Sequence, residues 1–280
     1  MTGAVTPAVS AFHALHRSGC FVMPNPWDAG SAVYLAHLGF KALATTSAGF
    51  AFTRALPDAV GAVPLEMVLD HVREVVAATP LPVNADFQEG YAREPEGVAR
   101  NVAACAATGA AGLSIEDASG DPAAPLFERD LAIERVRAAR AAIDAGGTGA
   151  LLTARCEAFL VDDPTPARTA LDRMVAFAEA GADCLYAPRV LDAAVIADMV
   201  RAVAPRPVNV LLSGPVPGLE VARLAELGVR RISVGAALAR VAWGAFGRAA
   251  KALAETGSFD GFAGAMPFDE LEGLFGARRA

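Results

Sequence analysis

No stretch of this chain reaches the roughly 18 consecutive apolar residues that a membrane-spanning helix needs, so no membrane partner is expected. Met1 to Ser10 lacks the basic start and apolar run of a secretory signal, and the expectation is a cytoplasmic protein. Cations are too few and too scattered for nucleic acid. The 24 Lys and Arg stand against 31 Asp and Glu, a formal charge of −7, whereas phosphate binding needs clustered basic residues. The four cysteines, Cys20, Cys105, Cys156 and Cys184, show no ligand spacing and read as packing residues. Only Cys156, beside Arg155, stands apart. There is no GxGxxG or Walker loop to cradle a nucleotide. No Ser/His/Asp arrangement is visible, because His13, His16, His37 and His71 fall on expected helices or ahead of the first strand.

What is present is alternation. Short apolar runs at Cys20–Pro24, Ala42–Thr46, Val83–Phe87, Gly112–Glu116, Ala150–Ala154, Cys184–Ala187, Val208–Leu212 and Arg231–Val234 read as buried strands. A short helix near Gly30–Leu38 follows the first. Amphipathic stretches at Pro64–Ala78, Glu94–Thr108, Asp130–Ala145, Thr165–Ala180, Asp192–Val203 and Gly218–Leu227 separate later ones. Strands apolar along their whole length suit a sheet covered on both faces. Gly109, Gly181 and Gly228 each stand between a helix end and the next strand. About eight such units in 280 residues predict a single (β/α)8 TIM barrel domain, an architecture of ~250 residues. Residues 236–280 are expected as its C-terminal helical extension. There Phe259, Phe262, Phe268, Leu271 and Phe275 form an apolar series, to be covered by a neighbouring subunit or by the parent barrel.

Five of these runs end in a polar cluster: Asn25-Pro26-Trp27-Asp28, Thr45-Thr46-Ser47-Ala48, Asn84-Ala85-Asp86, Ile115-Glu116-Asp117 and Ala154-Arg155-Cys156-Glu157. In a barrel these tips converge on one rim, the catalytic face. Asp86 and Glu116 are hard oxygen donors suited to Mg2+, which keeps much of its water. Asp117 adjoins Glu116 and points the other way on an extended chain, so Glu116 is expected to face the mouth. Arg155, the one basic residue at a central strand end, suits a carboxylate or a developing enolate oxygen, or else a structural ion pair with Glu157 or Glu116. Thr45, Thr46 and Ser47 offer hydroxyls and backbone N–H groups to an anion.

Over about residues 15 to 250, these clusters, with Gly39-Phe40-Lys41-Ala42-Leu43-Ala44 ahead of the threonines, resemble the isocitrate lyase and phosphoenolpyruvate mutase superfamily. The resemblance implies a barrel whose last helix is commonly exchanged between subunits of a homodimer or homotetramer. It also implies Mg2+ and a small 2-oxo acid, or its enolate, as substrate or product. By position, Trp27, Thr45, Thr46, Ser47, Asn84 and Arg155 would bind the substrate, and Asp86, Asn84 and Glu116 would serve the metal. Asp58 would reach the metal's water shell, making Arg155, Glu116 and Asp58 the catalytic set. Three positions depart from the pattern. Asn84 stands where the superfamily usually carries its first metal aspartate. The loop Ser119–Phe127 lacks the Cys and His of the Lys-Lys-Cys-Gly-His or Lys-Arg-Cys-Gly-His segment of the lyase branches. It also lacks the gating asparagine of the mutases. The expectation is a Mg2+-dependent C–C lyase or decarboxylase acting on an oxaloacetate-like acid. The alternatives are phosphonopyruvate mutase or hydrolase chemistry, and a catalytically weak barrel that binds a 2-oxo acid.

Overall fold

The computed structural model describes residues 5–276. Eight parallel strands, β1 (Phe21–Met23), β2 (Leu43–Ala44), β3 (Val83–Asp86), β4 (Gly112–Glu116), β5 (Leu151–Arg155), β6 (Cys184–Tyr186), β7 (Val208–Leu211) and β8 (Arg231–Ser233), run in the order β1-β8-β7-β6-β5-β4-β3-β2. A backbone bond from Ala44 N to Pro24 O (3.0 Å) draws the two ends together. The result is a nearly closed (β/α)8 barrel, as the alternation predicts. Pro82 and Pro207 sit just ahead of β3 and β7, where no ladder N–H is needed, and their carbonyls accept from Leu43 and Leu185. Gly181 and Gly228 follow the C-caps of helices Pro166–Glu179 and Val221–Glu226 with φ of 106° and 88°. A side chain at 181 would also meet Arg140 Cγ at 2.8 Å.

Most apolar burial lies between strands and helices. It includes Val72, Phe87, Val98, Leu113, Ile143, Leu152, Met174, Phe177, Ile196 and Leu224. Two helices lie outside the expected set. Pro7–Arg17 starts with Thr6 as N-cap and proline at N1, and it stoppers the barrel's N-terminal end. Its Val9 and Phe12 pack on Met23, Ala44, Leu151 and Cys184 inside the ring. Ser47–Thr53, expected as loop, is a short helix capped by Thr46 Oγ1, which accepts from Gly49 N at 3.2 Å.

The chain past β8 forms helix Ala237–Thr256, a 3-10 turn at Asp260–Phe262 and helix Phe268–Gly276; residues 277–280 of the expected extension lie outside the described residues. Helix Phe268–Gly276 lies against helix Ala29–His37. Even so, Phe246, Phe259, Phe262 and Phe268 are all half or more exposed. Among the described residues no helix is long and apolar enough to cross a membrane.

Candidate active site

Register sets the site. β3, β4 and β5 pair Asp86 with Ser114 and Glu116 with Arg155, which brings three strand tips side by side at the C-terminal mouth. Arg155 sits between their carboxylates. Its Nη1 lies 3.0 Å from Glu116 Oε2 and 3.6 Å from Asp86 Oδ1. Its Nη2 donates to Glu157 Oε2 at 3.0 Å and its Nε to Glu157 Oε1, a two-pronged clasp. The ring of Tyr186 packs under the guanidinium, 5.3 Å from centroid to carbon. One cation thus faces three carboxylates in a mostly dry setting. Burial pushes the Glu116 carboxyl well up; Arg155 pulls it back, while Glu157 and Asp86 add to the rise. Burial also opposes charge on Arg155, but Glu116 and Glu157 outweigh it and hold the guanidinium firmly protonated.

Other predicted residues frame this ring. Ser47 N donates to Asp86 Oδ2 (2.9 Å) and Asp86 N donates to Thr45 Oγ1 (2.8 Å). The turn after β2 therefore spends the Ser47 N–H on Asp86, while Thr45 Oγ1 accepts from Asp86 and keeps its own O–H to donate. Asp58, in the loop before helix Leu65–Ala78, accepts from Gln88 Nε2 at 3.3 Å. Its carboxyl is raised by burial and then by the charge of Asp86. Asn84 lies lower, two residues down β3, with its Oδ1 beside Gly112 and the Phe12 ring. That oxygen is buried and without a hydrogen-bond partner. Trp27 lines neither opening at the mouth; its backbone N–H donates to Ser31 Oγ at the start of helix Ala29–His37. Asp117 is turned away from the mouth, buried against Arg173 (3.0 Å) and accepting from Glu157 N (2.8 Å). Cys156 is fully buried and its thiol is pushed well up by burial, so it behaves as a packing residue.

Two openings flank the ring. One, of about 410 Å³, descends into the barrel past Thr45, Asp86, Arg155, Tyr186, Asn209 and Arg231. The other, of about 460 Å³, lies under the loops after β2, β4 and β5 and meets Asp58, Glu116, Gly120, Asp121 and Leu160. Gln88, Tyr186, Asn209 and Arg231 are site residues that sequence reasoning does not single out. The available signal for Asn209 and Arg231 was the inward alternation of β7 and β8; Tyr186 closes β6 without any acid to mark it.

The donor set fits Mg2+. Among the described residues no three His, Cys, Asp or Glu side chains gather as a ready-made metal cage. Mg2+, which retains water, needs only one or two carboxylates with the substrate supplying the rest. Asp86, Glu116 and Asp58 supply hard oxygens with negative charge beyond what Arg155 neutralises.

Comparison with known proteins agrees with this architecture. A crystal structure from Burkholderia cenocepacia J2315, provisionally assigned as a lyase/mutase, superposes with a TM-score of 0.91 at 45% identity, over 96% of this chain and 95% of that one. An uncharacterised protein of Mycobacterium tuberculosis H37Rv is 34% identical over 229 residues, 80% of this chain and 81% of its own length. The 2-methylisocitrate lyase of Salmonella typhimurium LT2 is 32% identical over 167 residues, 57% of this chain and 54% of that enzyme. Other relatives include an oxaloacetate decarboxylase and an oxaloacetate acetylhydrolase. The phosphoenolpyruvate phosphomutase family model matches residues 12–254, and the chain therefore belongs to that family, within the isocitrate lyase/phosphoenolpyruvate mutase superfamily.

Proposed function

We infer that this protein is a Mg2+-dependent carbon–carbon lyase or decarboxylase acting on a small, oxaloacetate-like 2-oxo acid through an enolate. The observation that carries the reading is the meeting of Asp86, Glu116 and Arg155 at one barrel mouth. Asp86 would hold the ion, with Glu116 and Asp58 turned to its waters. Bound there, Mg2+ supplies Lewis-acid polarisation of the substrate's carboxylate and keto oxygens. Arg155, clasped by Glu157, is preorganised to stabilise the negative charge that develops as the C–C bond breaks. Thr45 and Ser47 keep Asp86 in place. The loop Ala118–Leu126, closed by a short bridge between those two residues, covers the ring without offering a cysteine or histidine as acid. The Tyr186 hydroxyl, raised to about 12 mainly by burial, keeps its proton at neutral pH and stands on the cavity wall to return a proton to the enolate.

The half-exposed phenylalanines of the C-terminal segment support a homodimer or homotetramer in which this segment covers a neighbouring barrel.

The test is turnover of oxaloacetate and of substituted malates and citrates by metal-replete protein. EDTA should abolish it, Mg2+ should restore it, and Tyr186→Phe should slow it. A folded, metal-replete preparation inert to the whole panel defeats the reading. Conversion of phosphonopyruvate seen by phosphorus NMR would replace it with P–C chemistry.

A further inference from the structure

The inside of a (β/α)8 barrel is normally packed with branched aliphatic side chains. Below the acid ring this one is polar: Asn84, Ser114, Asn209, Arg231 and Ser233 line the cavity, all buried. Arg231 opens β8 and is 2% exposed. Its Nε donates to Asn209 Oδ1 at 2.9 Å, its Nη2 donates to Thr153 Oγ1 at 3.0 Å, and its Nη1 lies 3.3 Å from His16 Nε2. None of these partners is an anion. His16 is pushed down to about 3, first by burial and then by the charge of Arg231 itself, so its ring is neutral at pH 7. Arg155 and Arg173 each face carboxylates; Arg231 forms no ion pair among the described residues.

A guanidinium removed from water without a counter-charge is costly, and an anion entering the cavity would supply the missing charge. The open space that Arg231 meets is the cavity. Asn209 orients it, and is itself held by its Nδ2 donating to Ser233 Oγ at 3.0 Å. Arg189 and Arg240, both exposed, add positive charge to the same cavity.

We propose that Arg231 is the anion-binding residue of the cavity floor and takes the second carboxylate of a dicarboxylic acid whose 2-oxo end lies on the acid ring and Arg155. The proposal rests on the 2-oxo acid reading above and assigns the residue that receives the distal carboxylate, because monocarboxylic 2-oxo acids would leave the floor cation unmatched. Asn209 acts through Arg231 as a positioning residue.

Calorimetric titration of the full chain with Mg2+ present would compare 2-oxoglutarate with 2-oxohexanoate, in which an ethyl group replaces the distal carboxylate. The native protein should prefer the diacid by roughly 30-fold, the scale of a lost hydrogen-bonded charge. Arg231→Met should bring that ratio near one while leaving 2-oxohexanoate binding unchanged. Arg231→Gln, which keeps a donor for Asn209, should do the same and serves if the Met variant does not fold. An equal affinity for both acids in the native protein, or a preference that survives both substitutions, overturns the proposal. Succinate separates the two inferences. If it binds as well as 2-oxoglutarate and loses affinity in Arg231→Met, the floor site stands and the 2-oxo acid reading fails; if no diacid binds at all, the floor site fails.

Discussion

Replacing Arg155 by lysine keeps the charge and removes the fork. The guanidinium contacts three carboxylates at once, closing on Glu157 with two nitrogens while Nη1 spans Glu116 and Asp86. A single ammonium cannot reproduce that arrangement. If Arg155 stabilises charge that exists only as the C–C bond breaks, Arg155→Lys should lower kcat by about 10²-fold, the usual effect of losing one preorganised donor. KM should shift by no more than about 3-fold, since ground-state binding is largely untouched. Arg155→Ala goes further and strands the three carboxylates without a cation, a loss of about 3–5 kcal/mol in stability. Steady-state kinetics on the acid that the native enzyme turns over, with urea unfolding of both variants, makes the check. An Arg155→Lys enzyme within a factor of about 3 of native kcat, with its stability reduced, would show that the guanidinium is a structural clamp only.

Asp86→Ala should remove the heat of Mg2+ binding while the barrel stays folded, whereas Asp117→Ala should leave metal binding intact and cost about 3–5 kcal/mol, because it abandons buried Arg173. Equal loss of metal affinity in both would mean that Glu116 is not the residue facing the mouth. His71, stacked on Phe50 at 3.9 Å, is lowered to about 4 by burial, so the unfolded chain binds its proton first as pH falls. Its contribution is complete above pH 6.5 and is lost progressively toward pH 4, about 2 kcal/mol being gone by pH 5. The stability gap between native protein and His71→Phe, measured by urea unfolding, should narrow or invert by that amount between pH 7 and 5, and a pH-independent gap would refute it. Sedimentation should show a dimer or tetramer that Phe246→Asp weakens, and a monomeric native protein would refute the exchange of the C-terminal segment.

The barrel was legible because each strand is a short apolar run ending in polar residues, and period and punctuation agreed along the chain. Asp86, Glu116 and Arg155 could be placed together for the same reason, since parallel strands put their C-terminal tips on one rim. The missed parts depended on closure. Helix Pro7–Arg17 carries a readable cap at Thr6, but nothing local says that its Phe12 enters the ring. Arg231, next to Arg230 in a three-residue strand, looks like surface charge until the two ends of the sheet meet. The turn at Ser47 looked open to an anion because the claim of Asp86 on its N–H comes from a strand 39 residues away.

The stopper at the bottom of the barrel has a consequence for how the molecule is made. Residues 7–17 leave the ribosome long before β8, yet His16 meets Arg231 across a separation of 215 residues, and Phe12 needs a finished ring to enter. Seating it is therefore a late event that waits on the most non-local strand pairing, β1 with β8. Until then an amphipathic segment stands idle, and a bulky fusion placed directly before Thr6 would obstruct that last step more than it would disturb the finished barrel.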